Sequence, residues 1–146
     1  MGVFEGFGNG LMIIGMFIAG WAANRFGRKI VMISGFLLSG LTPIFYSISG
    51  SLLTLSLGRT FHSFGYCLVI SGIAAFVGDA AGEGQQGSFM GLITVFFAIG
   101  GMIGPLIMGV FLERLGYFGM GILMSLFAFS ALTIATYKVE ETLSSA

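Results

Sequence analysis

Few side chains in this sequence could do chemistry, and those that could stand in unusual surroundings. Arg59 lies about eight residues inside a long apolar stretch, and His62 follows it at a spacing of three, one face of a helix. An arginine at membrane depth costs several kcal/mol unless it pairs, faces water or reaches the headgroups. Arg59 therefore reads either as a cation in a solvated cavity or as a snorkelling side chain. His62 could exchange a proton near neutral pH, and it reads equally as a hydrogen-bonded structural histidine. Glu5 shares a face with Asn9 near the start of the first apolar stretch. It is either a proton site or an acid favoured there by the helix dipole. The chemistry open to these groups is proton exchange and charge pairing.

Other chemistries lack their parts. Cys67 is the single cysteine and sits in an apolar run, which excludes a disulfide framework or a thiolate metal site within one chain. Gly6-Phe7-Gly8 follows no strand and has no basic residue to cradle a phosphate. No serine stands in a nucleophile elbow, and no acid near His62 suggests a triad. We expect no enzyme activity, no metal and no cofactor. Six acids balance six bases, so the chain has no electrostatic footprint for nucleic acid.

The elements that must hold these residues are membrane helices. The chain is 56% hydrophobic and 8% charged, against roughly 25% charged in a soluble domain. Five apolar segments, Val3–Ala23, Ile30–Ser49, Leu52–Val77, Phe89–Leu112 and Tyr117–Tyr137, each approach the roughly 20 residues that cross a bilayer. Barrel strands are a poor fit, because they alternate apolar with polar residues and span in about 10. The first segment is not a signal peptide, since no base precedes it and its apolar part is too long. The expected class is an all-α integral membrane bundle of about five helices, one domain over residues 1–146.

Arg25, Arg28 and Lys29 share one short loop, which the distribution of bases makes cytoplasmic. The N-terminus and Ser49-Gly50-Ser51 then lie outside, and the loop after Asp79 and the C-terminus lie inside. The expected location is the plasma membrane. Glu83, Gln85 and Gln86 read as loop polarity, and Glu140 and Glu141 as a solvated tail.

Glycine is abundant, with 25 residues, and small residues four apart let membrane helices approach closely. Gly6 and Gly10, Gly35 and Ser39, Gly87 and Gly91, and Gly100 and Gly104 show that spacing. Their plain reading is ordinary helix packing.

Three runs resemble elements of the major facilitator superfamily. Gly20-Trp21-Ala22-Ala23-Asn24-Arg25-Phe26-Gly27-Arg28-Lys29 is similar to its signature loop, Gly-x-Leu-Ala-Asp-Arg-x-Gly-Arg-Arg/Lys. Asn24 replaces the aspartate and Ala22 the leucine. The run from Gly100 through Gly104-Pro105 to Gly109 resembles the Gly-x-x-x-Gly-Pro-x-x-Gly-Gly element of the fifth helix in proton-coupled exporters, with Met108 replacing one glycine. Pro105 removes a backbone donor and is expected to bend its helix. Arg59 to Gly65 resembles the fourth-helix Arg-x-x-Gln-Gly-x-Gly pattern, with His62 for glutamine and Ser63 for glycine.

The resemblance implies that Asp79 pairs with a signature-loop arginine, Arg28, at an inner gate. It also implies a transporter, here proton-coupled export of small organic compounds by alternating access. The family has twelve helices in two halves, so these five fit helices two to six of the first half or eight to twelve of the second. Such a chain needs the other half-bundle, or a second copy of itself, to complete a substrate path. The bilayer, a small-molecule substrate and protons are the remaining expected partners. A small membrane scaffold or assembly protein, or a non-functional remnant, is the alternative.

Overall fold

The computed structural model describes the backbone of residues 2–82 and 84–142, with side chains from residue 6 onward. Four helices follow in order: α1 (Gly2–Phe26), α2 (Arg28–Ser47), α3 (Leu52–Ala80) and α4 (Gln86–Lys138). The described residues contain no strand. All four helices are long and apolar enough to cross a membrane.

Five spans were expected, and the difference lies at Gly116. α4 runs for 53 residues, which drawn straight would be about 80 Å, far beyond a hydrocarbon core of about 30 Å. Within it Gly116 takes φ 64° and ψ 177°, a conformation essentially reserved for glycine. The break divides α4 into a first arm, 86–115, and a second arm, 117–138. The helix runs through Pro105 without a non-helical residue, so the break falls at the glycine and not at the proline.

Interhelical registers follow from the contacts. Ser63 donates to the Gly8 carbonyl, Cys67 to that of Met12, and Ser71 to the Met16 sulfur. Both partners advance by four residues at each step, so α1 and α3 run parallel, joined about once per turn. α2 is antiparallel to α3: Gly35 lies on Val69 and Gly65, Ser39 on Gly65, and Met32 on Gly72. A Cβ at Gly35 would come within 2.6 Å of the Val69 backbone nitrogen, so the two backbones touch. The second arm of α4 returns along α2, with Gly121 on Ser47 and Phe129 on Gly40.

Small side chains dominate the interior, among them Ala19, Ala23, Ser63, Cys67 and Ala135. Large apolar ones face outward, Phe17 at 79% and Phe96 at 64% exposure. Lipid makes this arrangement stable. Its chains solvate a phenylalanine as well as a protein core does, leaving close contact to small residues and interhelical hydrogen bonds.

Candidate functional site

The signature-like loop closes into a polar cluster at one end of the bundle. α1 and α2 are joined by Gly27 alone, at φ 104° and ψ 150°. Glycine at an N-cap has no side chain to offer the first amides of α2, and such orphan donors require a partner. Glu141, beyond the end of α4, supplies it. Its Oε1 accepts the Arg28 backbone N–H at 2.9 Å and its Oε2 that of Lys29 at 3.1 Å. The carboxylate thus sits at the positive end of the α2 dipole. A Cβ on Gly27 would overlap it, so backbone conformation and cap both require glycine there. The expectation that Glu141 is only a solvated tail is corrected by this contact.

Arg28 reaches in the other direction. Its Nε donates to Asp79 Oδ2 at 2.7 Å and its Nη1 to the Ala23 carbonyl at 2.9 Å. Asp79 Oδ2 also accepts the Thr142 hydroxyl at 3.0 Å. The Arg28 side chain is 13% exposed and that of Asp79 31%, so the pair is partly withdrawn from solvent. The end of α1, the start of α2, the end of α3 and the segment after α4 meet in this cluster.

The other loop residues do different things. Arg25 lies over Trp21, with its guanidinium carbon 5.2 Å from the ring centroid, and 5.9 Å from that of Phe26. Lys29 contributes its backbone amide. Asn24 is exposed, and the negative charge beside the α2 N-terminus comes from Glu141 and not from position 24. Gly20 is half-buried, with open space where a Cβ would be.

Toward the opposite end, Arg59 is half-buried on α3 and its guanidinium lies against Gly8 of α1, filling the space a Cβ would take. His62 is exposed. Arg59 and the Arg28–Asp79 pair stand twenty residues apart along α3, about 30 Å at helical rise. The Glu5 side chain lies outside the described residues, as does Glu83. No group of three or more His, Cys, Asp or Glu side chains that could hold a metal occurs among the described residues.

The fifth-helix element stands apart from all of this. Pro105 is exposed, and nothing lies within 4 Å of a Cβ placed at Gly100, Gly104 or Gly109. The small-residue pairs Gly6/Gly10 and Gly87/Gly91 are equally open, and only Gly35 and Ser39 are used. Sequence spacing of four missed the glycines that do the packing on α3. Gly58, Gly65 and Gly72 recur every seven residues against α2, a period that would have found them.

Comparison with known proteins agrees with these motifs. The chain is 26% identical to the MFS-type transporter ppzB of Metarhizium rileyi over 117 residues, covering 80% of this chain and 23% of the relative. It is 28% identical to Multidrug resistance protein 1 of Bacillus subtilis over 104 residues, 69% of this chain and 27% of the relative. With Riboflavin transporter RibZ of Clostridioides difficile it shares 26% over 102 residues, 70% and 22% of the two chains. It spans about a quarter of the length of these relatives. The model of the Major Facilitator Superfamily matches residues 6–146. With a glycine-linked basic loop paired to an acid on the third helix, in a chain matched almost from end to end, this multi-pass membrane protein belongs to the major facilitator superfamily.

Proposed function

We propose that the chain forms most of one half-bundle of a transporter that exports small organic compounds in exchange for protons, by alternating access. The observation that carries this reading is the cluster of Arg28, Asp79 and Glu141. It ties α2, α3 and the segment after α4 at the loop end, where an inner gate would need a breakable polar latch. Exposed Asn24 and Arg25 and half-buried Lys29 lie beside it for contact with an opposing half. The relatives' names, a multidrug resistance protein and a riboflavin transporter, support small organic substrates. Arg59 and His62, with Glu5, are the candidates for the transport path.

The open face of Gly100, Gly104 and Gly109 beside Pro105 is where the rest of the transporter would dock, as the other half-bundle or a second copy. The loop end is cytoplasmic in this reading and the membrane is the plasma membrane. The test uses everted membrane vesicles containing the protein of which this chain is part. A proton gradient should drive accumulation of a cationic amphipathic dye, and an uncoupler should abolish it. Inserted protein that moves neither such dyes nor riboflavin under a gradient would overturn the reading in favour of a scaffold.

A further inference from the structure

The seam between α3 and the first arm of α4 is built unlike the other helix contacts. Where α2 meets α3, glycines let the backbones touch. Here both sides are bulky: Val69, Ile73 and Phe76 on α3 face Phe89, Ile93 and Phe97 on the arm. The arm's small residues, Gly100, Gly101 and Gly104, have no neighbour. Bulky side chains meeting bulky side chains hold the helices apart, and cavities of about 550, 270 and 140 Å³ open at the gap, the largest also bounded by Phe36 of α2 and Ala131 of the second arm. The first two lie side by side, sharing Ile73, Ile93 and Phe97, and the third lies nearer the loop end, against Phe76 to Ala81 and Phe89.

We propose that this groove holds one acyl chain of a bilayer phospholipid. Three features support that occupant. The first is depth. From Ala81 to Tyr66 the groove follows fifteen residues of α3, about 22 Å at helical rise, enough to take a chain through the roughly 15 Å of a single leaflet. The second is lining, which carries no charged residue and offers only Tyr66 and Thr94 as polar side chains. A drug-like ligand is normally oriented by a few placed polar groups, whereas an acyl chain needs none. The third is the mouth, where Gln86 donates to the Gly78 carbonyl at 3.2 Å and polar groups begin. A headgroup belongs at that level. Left empty, the gap would deprive its aromatic walls of contact atoms, and lipid chains are the surrounding solvent.

The test reconstitutes the protein in phosphatidylcholine vesicles doped with phosphatidylcholine bearing a mid-chain diazirine, followed by photolysis and peptide mapping. Labelling of residues 69–76 and 89–97 should exceed severalfold that of Ile13 and Phe17, which are exposed on α1. Ile73→Trp, which fills the groove, should remove the excess and leave α1 labelling unchanged. Ala74→Leu is the milder filling variant should the tryptophan disturb folding, and it should reduce the excess in part. Seam labelling equal to that of α1 and indifferent to both substitutions would overturn the proposal. So would displacement of the lipid label by a small apolar dye at low occupancy, which would make the groove a small-molecule site. Neither result depends on whether the protein transports.

Discussion

Glu141 lies 113 residues from Arg28 in sequence, yet its carboxylate accepts the Arg28 backbone N–H at 2.9 Å and completes the N-terminus of α2. A helix that begins directly after a lone glycine has no cap of its own, so the chain after α4 supplies one. The same residue pair links the cap to the ion pair, because the Arg28 side chain turns the other way, onto Asp79.

Glu141→Ala should therefore loosen the start of α2. A lost cap is worth about 1 kcal/mol, so amide exchange at Arg28 and Lys29 should accelerate roughly fivefold, and Glu141→Gln should fall between. Unchanged exchange at both amides would mean that the cap contributes nothing to α2.

Arg28 and Asp79 should be energetically coupled. Partial exposure of both side chains keeps the expected interaction near about 1 kcal/mol. A double-mutant cycle with Arg28→Ala and Asp79→Ala, read by unfolding in detergent, measures it. Strictly additive effects would show that the ion pair holds nothing together.

Gly35→Ala and Gly104→Ala should differ sharply. The added methyl at position 35 meets the α3 backbone and should destabilise the chain by about 1–3 kcal/mol. At position 104 it meets open space and should leave this chain's stability unchanged. Association with the remaining half-bundle, followed by crosslinking, should weaken for Gly104→Leu. Wild-type association would show that this glycine face docks nothing.

Arg59→Ala should abolish transport with membrane insertion intact, and Arg59→Lys should rescue only partly, since lysine lacks the planar fork. Full activity of the alanine variant would identify Arg59 as a snorkelling side chain.

Orientation is tested by single cysteines in a Cys67→Ser background. Gly50→Cys and Tyr117→Cys should react with a membrane-impermeant maleimide added outside, and Ser88→Cys only after permeabilisation. The reverse pattern would turn the loop cluster outward and remove it as an inner gate.

Much was legible in the order of residues. Apolar runs of spanning length, bases gathered at positions 25, 28 and 29, and three motif-like stretches establish membrane helices and a family resemblance. Lipid imposes composition and length on each helix separately, so these properties need no knowledge of neighbours. Tertiary structure decided the rest. Nothing local marks Glu141 as a cap, because its partners are backbone amides more than a hundred residues away. Gly116 breaks α4 while Pro105 does not, since a proline's lost hydrogen bond bends a helix whereas a reversal needs dihedrals that only glycine adopts readily. Which glycines pack and which stand open depended on the rotation of each helix about its axis. That rotation is set by all contacts together, and a spacing of four along one helix carries no record of it.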